Sequence, residues 1–131
     1  MAGVMCVVVT PEATSIEQEA DFVSVPLFDG EKGIAPGHAP MIGRLGYGEL
    51  RLKSGGTIER YYVDGGFVQV EDNVVSLMTG KIVPAGELDA STAQELLAES
   101  KKKPANTPEL LEIRDRSIEQ ARAQLRLASK S

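Results

Sequence analysis

The only histidine of the chain, His38, lies between Gly33 and Pro40 in a run rich in glycine and proline. Proline fixes the backbone angle φ and glycine admits positive φ, so this run predicts a shaped loop rather than a regular element. A loop that holds one imidazole could perform general acid–base chemistry near neutral pH. The residues allow two interpretations: His38 is a catalytic group, or the loop presents His38 to a partner.

The groups that would complete a catalytic or metal site are absent from the sequence around His38. Its glycine and proline neighbours supply no nucleophile, and one histidine with one cysteine cannot form the usual zinc cluster. No glycine-rich loop ends in Lys-Ser or Lys-Thr, as a phosphate-binding loop requires. The stretch 65–67, Gly-Gly-Phe, resembles a ligand loop, but a close backbone approach explains it as well. The sequence therefore favours a protein that is not an enzyme and holds no metal or cofactor.

Charge divides the chain into two parts. Residues 1–88 contain 12 acids and 6 bases, whereas residues 89–131 contain 7 acids and 8 bases. The acidic first part argues against nucleic-acid binding, which needs clustered lysine and arginine. The more basic second part suits an acidic partner. Cys6, the only cysteine, lies among apolar residues, which predicts a buried thiol.

Membrane insertion is not expected from this sequence. No apolar stretch is long enough to span a bilayer, and residues 1–5 lack the charged flank and cleavage pattern of a signal peptide. We therefore expect synthesis in the cytosol.

The first part reads as closely spaced strands, which must position the loop around His38. Short runs rich in Val, Ile, Tyr and Thr alternate with turn residues, a pattern typical of a sandwich or flattened barrel. Hairpin connectors are predicted at 54–56 and 71–73. The predicted strands are Cys6–Thr10, Asp21–Pro26, Glu49–Lys53, Thr57–Val63, Gly66–Glu71 and Val74–Thr79.

The second part predicts two helices. Asp89 is the expected N-cap of a helix that reaches about Lys103, and Thr107 is the expected N-cap of the next, with Pro108 in its first turn. Two roles stay open for this helical hairpin: it completes the core, or it binds a partner. The apolar positions expected to face inward are Ala93, Leu96 and Leu97 in the first helix and Leu111, Ile118, Ala121 and Leu125 in the second.

Several of these motifs together match a known pattern. The sequence resembles the epsilon subunit of bacterial F-type ATP synthases, with its chloroplast epsilon and mitochondrial delta counterparts. The resemblance covers nearly the whole chain and implies a ten-stranded β-sandwich over residues 1–86 and a helix-turn-helix over residues 87–131. The segments that carry it are Val8–Glu12, Ala20–Pro26, Asp29–Met41 with the core Gly-Ile-x-Pro-Gly-His-x-Pro, and Tyr62–Val70 with Gly-Gly-Phe.

The resemblance implies a rotor subunit of the central stalk that makes no bond itself. Its partners would be the gamma subunit, the membrane rotor ring of c subunits, and the catalytic alpha/beta head, at the cytoplasmic face of the bacterial plasma membrane. Such a subunit couples proton flow through the ring to gamma. A free-standing sandwich that binds a small ligand under a helical lid is the alternative.

Two residues of the histidine loop region correspond to interface positions of this family. The resemblance places Glu31 and His38 at the rotor-facing end, near the ring and gamma. For His38 the alternative is a hydrogen bond within its own loop, since a proline-framed imidazole often serves its own turn.

The second helix carries the implied regulatory residues. In the family, a basic second helix meets acidic segments of the head and blocks ATP hydrolysis, which points to Arg122 and Arg126; a solvated basic face is the alternative. Some relatives bind ATP through Ile-Asp-x-x-Arg-Ala on the first helix. Such relatives also use two arginines of the second helix. Here Asp89 matches the motif, and Arg122 and Arg126 keep the spacing of those two arginines, so these three residues are the candidate ATP site. Thr92 replaces the arginine of the motif, so we expect weak ATP binding or none.

Overall fold

The structure is a computed structural model that describes residues 3–130, with side chains up to residue 128. Residues 1, 2 and 131, which the two predicted domains include, lie outside the described residues. The chain divides into two compact units, the first ending at Pro84 and the second beginning at Ala85; the domain boundary predicted after residue 86 lies slightly later. The elements are β1 (Val4–Val9), β2 (Thr14–Ala20), β3 (Phe22–Leu27), β4 (Gly30–Ile34), β5 (Met41–Ser54), β6 (Thr57–Glu71), β7 (Val74–Met78), β8 (Ile82–Pro84), a 3-10 turn (Ala85–Glu87), α1 (Ala90–Lys101) and α2 (Pro108–Lys130).

One sheet contains all eight described strands. Its order is β2-β1-β7-β6-β5-β3-β4, with β8 paired to β6, and neighbours are antiparallel except for β1 and β7. Strands that are far apart in this order contribute side chains to the same apolar core, so the sheet folds around that core as a sandwich. The core side chains are Val4, Cys6, Val8, Ala20, Val23, Val25, Ile34, Leu45, Leu50, Leu52, Val63, Val68, Val70, Val75 and Leu77.

The predicted β-sandwich followed by a helical hairpin is confirmed, but the described residues form eight strands rather than ten. Strands β5 and β6 run for 14 and 15 residues. Residues 61–63 of β6 pair with β8, whereas residues 67–71 pair with β7. Strand β6 therefore takes part in two portions of the sheet, where two shorter strands would otherwise be counted.

The sequence pattern found the buried strands and missed the edge strands. Predicted strands at 6–10, 21–26 and 74–79 match β1, β3 and β7 within one or two residues, and 49–53 falls inside β5. Predicted strands at 57–63 and 66–71 are one continuous β6. The sequence pattern missed β2, β4 and β8, and the loop predicted from Gly33 begins only at residue 35, because Gly33 and Ile34 end β4.

Both predicted hairpin connectors are present. Gly55 and Gly56 have φ of 54° and 86°, and Asp72 and Asn73 have φ of 51° and 62°. Positive φ at both central residues is the two-residue turn that matches the twist of paired strands. These turns fix the registers of β5 against β6 and of β6 against β7.

The Gly-Gly-Phe motif is a close backbone approach, the second of the two readings predicted for it. Gly66 has φ of +106°, and a Cβ at this position would lie 1.9 Å from the carbonyl oxygen of Met78 on β7. Only glycine fits there. The motif lies inside β6, not ahead of a strand.

Both helix caps occur as predicted. The Asp89 carboxylate accepts a hydrogen bond from the Thr92 backbone N–H at 3.2 Å, and Thr107 Oγ1 accepts one from the Leu110 N–H at 3.2 Å. The two helices pack against each other, and Lys103 Nζ donates to Ser117 Oγ at 3.0 Å.

The predicted inward faces of the helices are partly wrong. Leu96 and Leu111 are exposed, and Ile118 and Leu125 are only half-buried. Ala93 and Ala121 are buried as predicted, but a period count weighted by leucine and isoleucine misses Ser100 and Ala123, two small residues that are buried as well. Up to residue 128, the buried residues of the two helices are Ala93, Ser100, Ala121, Ala123 and Leu127.

Candidate interaction surface

Glu31 belongs to a cluster of alternating charges. Its Oε1 accepts a hydrogen bond from Arg51 Nη2 at 2.6 Å, and Arg51 Nη1 lies 3.4 Å from Glu49 Oε1. The other oxygen of Glu49 accepts from Arg60 Nε at 2.5 Å. Because two acids alternate with two bases, the cluster (Glu31, Arg51, Glu49, Arg60) has no net charge.

Burial differs strongly along this cluster. Glu49 is 8% exposed, whereas Glu31 is exposed on β4 at the end of the sheet. A buried carboxylate needs its partners, and both oxygens of Glu49 have one. The cluster thus joins a fixed buried acid to an exposed acid that a partner can reach.

The imidazole of His38 bonds within its own loop. Its Nδ1 lies 2.6 Å from the Ala39 carbonyl oxygen, and since a carbonyl only accepts, Nδ1 carries the hydrogen. The His38 backbone N–H donates to the Ala35 carbonyl at 3.2 Å. The loop is tied to the β6–β7 turn by the Gly37 N–H, which donates to Asn73 Oδ1 at 2.7 Å.

This arrangement does not build a catalytic base. Within residues 3–130, no hydrogen bond joins the His38 ring to a hydroxyl, a thiol or a carboxylate, so neither a nucleophile nor an orienting acid is in place. The two predicted interface residues also stay apart: in the described part of the chain no hydrogen bond or ion pair links Glu31 to His38. Glu31 reaches across to β5, and His38 serves its loop.

Exposed apolar side chains cover the outward side of four neighbouring strands. The register places Arg44 of β5, Phe67 of β6, Met78 of β7 and Val9 of β1 opposite one another in a row. Ile42 lies two residues before Arg44, on the same side of the sheet; it is 77% exposed, and Phe67 is 54% exposed. We call Val9, Phe28, Ile42, Phe67 and Met78 the outer apolar face.

Arg44 and Phe28 form the border of the outer apolar face. The Arg44 guanidinium carbon lies 4.4 Å from the centroid of the Phe28 ring, in cation–π contact. Ile42 lines two surface hollows of about 360 Å³ each. A contiguous exposed apolar surface of this kind, with a charged rim and shallow hollows, is typical of a protein–protein interface.

The sequence interpretation missed the outer apolar face, although one signal pointed to it. Residues 67–71 alternate in type, and Phe67 falls in phase with Gln69 and Glu71, which point outward. An aromatic residue in the solvent-facing phase of a strand marks an interface. The pairing of four strands was needed to see that it has apolar neighbours.

The predicted regulatory residues lie in the helical unit. Arg122 and Arg126 are exposed and one turn apart on α2. Among the described residues they make no ion pair, and no hydrogen bond joins them to Asp89. The Asp89 carboxylate also accepts from the Thr92 hydroxyl at 2.7 Å; this bond, followed by that of the Thr92 backbone N–H, lowers the pKa of Asp89. Asp89 is thus the N-cap of α1, and its carboxylate is bonded to Thr92.

Other reactive groups have structural surroundings. Burial raises the pKa of the Cys6 thiol to about 12, so the thiol is unreactive. No group of three or more His, Cys, Asp or Glu residues that could hold a metal ion occurs in the part of the chain that the structure describes. None of the helices among the described residues is long and apolar enough to cross a membrane.

Comparison with known proteins agrees with this geometry. Residues 4–85 match the family described as ATP synthase, Delta/Epsilon chain, beta-sandwich domain. The chain is 54% identical over 124 residues to the ATP synthase epsilon chain of Rhodopirellula baltica, an alignment that covers 95% of this chain and 97% of the relative.

Solved structures share the fold. A chain in the cryo-EM structure of the Euglena gracilis mitochondrial ATP synthase, OSCP/F1/c-ring, superposes with a TM-score of 0.86 at 21% identity, over 100% of this chain and 83% of that chain. A chain in the Tetrahymena thermophila mitochondrial ATP synthase structure of the central stalk and c-ring superposes with a TM-score of 0.77 at 12% identity, over 95% of this chain and 96% of that chain. The family match spans most of the sequence and the Rhodopirellula relative aligns over nearly all of it, so the chain belongs to the ATP synthase delta/epsilon family, as the resemblance predicted.

Proposed function

We propose that this chain is an epsilon subunit that works as a non-catalytic rotor subunit, fixing the gamma shaft to the membrane ring of c subunits and so transmitting torque to the catalytic head. It would work as a peripheral subunit at the cytoplasmic face of the bacterial plasma membrane. The observation that carries the proposal is the outer apolar face. A subunit that works alone in water gains nothing from exposing it.

The sandwich has the rigidity that an adaptor needs. Its eight described strands form one hydrogen-bonded sheet around a single core. Gln18 of β2 also bonds to Glu59 of β6, although these strands are not neighbours in the sheet. Bonds between distant strands oppose shear, which is the deformation that torque imposes.

The outer apolar face is the docking site that we assign to gamma. Phe67, Met78 and Ile42 are the central anchors, and burying such a side chain fully contributes about 1.5–3 kcal/mol. The positive charge of Arg44 at the border would favour a partner that has an acidic group next to its own apolar surface. Glu31 and His38 are assigned to contact with the ring, Glu31 through its exposed carboxylate and His38 through its loop.

Copurification with gamma tests this assignment. We expect Phe67→Asp to lose gamma, because the new carboxylate would be buried without a partner. Ile58→Asp is the matched control, since Ile58 lies on the same strand and is 52% exposed but stands outside the outer apolar face. Equal retention of gamma by both variants would remove the outer apolar face as the docking site.

We further propose that the helical unit regulates ATP hydrolysis. Arg122 and Arg126 are free of ion pairs among the described residues, so their charges are available to acidic segments of the alpha/beta head. Two guanidinium groups one turn apart can engage such a segment together. This support is electrostatic, and the ATPase activity of the assembled head with and without the helices tests it.

ATP is not assigned as a ligand of this chain. Thr92 stands where ATP-binding relatives carry arginine, and its hydroxyl is already bonded to Asp89. A hydroxyl cannot supply the charge and the fork of hydrogen bonds that a phosphate group takes from a guanidinium.

A further inference from the structure

Arg51 stands between the exposed and the buried parts of the charged cluster. Its Nη2 donates to Glu31 Oε1 at 2.6 Å and to Ser24 Oγ at 3.3 Å, and its Nη1 lies 3.4 Å from Glu49 Oε1. Ser24, Glu31 and Glu49 belong to β3, β4 and β5. The guanidinium is therefore held by acceptors from three strands, and its planar shape lets it serve all of them at once.

The ion pair between Arg51 and Glu31 contributes little to the stability of the fold. Their side chains are 37% and 53% exposed, and exposed ion pairs contribute little to folding. The pair has a geometric effect instead. Strand β4 is the last strand at its end of the sheet, so no strand beyond it restricts Glu31.

The two oxygens of Glu31 have different surroundings. Oε1 is held by Arg51, whereas Oε2 has no hydrogen-bond partner among the described residues. A carboxylate fixed through one oxygen presents the other in a defined direction. An incoming partner then does not have to order the side chain itself, and that saving appears as affinity.

We propose that Arg51 is a positioning residue: it holds the Glu31 carboxylate so that Oε2 accepts a hydrogen bond from the rotor ring. This inference rests on the proposed function, in which Glu31 contacts the ring. Glu49 and Ser24 act as the anchor that keeps Arg51 in place. Since ordering one long side chain is involved, loss of Arg51 should weaken ring binding by about two- to tenfold.

The test is a double-mutant cycle on the full-length chain. Its affinity is measured for a purified ring–gamma complex from which the subunit has been removed, for the unchanged chain, Glu31→Gln, Arg51→Gln and the double variant. Arg51→Lys adds a conservative replacement that can keep one partner but not three. Lys53→Gln is the matched control, because Lys53 is an exposed cation on the same strand that makes no ion pair among the described residues. Thermal unfolding of each variant reports stability separately.

We expect Arg51→Gln to weaken binding in the unchanged background and to have no further effect in the Glu31→Gln background. The affinity of Arg51→Lys should lie between those of the unchanged chain and Arg51→Gln, and Lys53→Gln should bind normally. Equal weakening by Arg51→Gln in both backgrounds, together with a lower melting temperature, would show that Arg51 only supports the fold and would overturn the inference. Normal binding by Arg51→Gln when Glu31→Gln binds poorly would also overturn it. If Glu31→Gln itself binds normally, the proposed role of Glu31 fails instead.

Discussion

At the scale of single residues, Glu59 joins two strands that are not neighbours in the sheet. Its carboxylate accepts hydrogen bonds from the Gln18 amide and the Tyr61 hydroxyl, each at 2.8 Å. These bonds, that of Gln18 first, lower the pKa of Glu59 from its ordinary value of 4.5. Burial, and next the bond to Glu59, raise the pKa of Tyr61 to about 12, so the phenol stays a donor through neutral pH.

The lowered pKa of Glu59 predicts an acid-dependent stability. Because the folded-state pKa lies below the unfolded one, the bonds stabilise the fold above pH 4.5 and are lost as pH falls through the folded-state pKa. Urea unfolding of the unchanged chain and Glu59→Gln should therefore differ most near pH 7 and least near pH 3. A difference that does not depend on pH would contradict this role for the ionised carboxylate.

Thr92 sets a second expectation at this scale. Titration calorimetry of the full chain with ATP should give weak heat or none, because the guanidinium that the ATP-binding relatives use is absent and Asp89 is occupied as a cap. Saturable binding at micromolar ATP would show that other groups of this chain replace the arginine.

At the scale of elements, local signals were readable from the sequence and non-local ones were not. The caps at Asp89 and Thr107 depend on residues within three positions, and the glycine turn at 55–56 depends on two residues. Strands β2 and β4 are rich in polar residues or glycine, and they are held by hydrogen bonds to neighbouring strands. They therefore lack the apolar alternation that would predict a strand. The outer apolar face needs the register of four strands, which sequence spacing does not provide.

Substitution of Gly66 tests the close packing of β6 against β7. Gly66→Ala should destabilise the fold by about 3 kcal/mol, because the added Cβ meets backbone at positive φ. Gly80→Ala is the control: a Cβ there would lie 3.8 Å from the nearest atom, the Asp64 carbonyl oxygen. Denaturant unfolding measures both, and equal stability of the two variants would contradict the close approach seen between β6 and β7.

The helical unit is tested by removing it. A chain that ends at Glu87 should raise the ATPase activity of the assembled head about fivefold or more if the helices inhibit hydrolysis. Arg122→Ala with Arg126→Ala should act in the same direction. Arg116→Ala is the control, since Arg116 lies 4.0 Å from Glu112 in its own helix. Unchanged ATPase activity after truncation would leave the two arginines as a solvated face.

At the scale of the whole molecule, the chain combines a sandwich with bonds between distant strands, an exposed apolar face, and an exposed acid held by an arginine that also contacts a buried acid. Each feature suits a subunit that joins two other proteins better than one that holds a small ligand. The alternative of a free-standing ligand-binding module predicts a chain that does not bind gamma in solution. The rotor proposal predicts a chain that binds gamma.

Analytical ultracentrifugation of the purified chain mixed with purified gamma separates these two accounts directly. We predict one faster boundary that contains both proteins in equal amounts, because the proposed contact with gamma would bury the outer apolar face. Two independent boundaries at micromolar concentrations, each with the sedimentation of the separate protein, would contradict the assignment of this chain to the rotor.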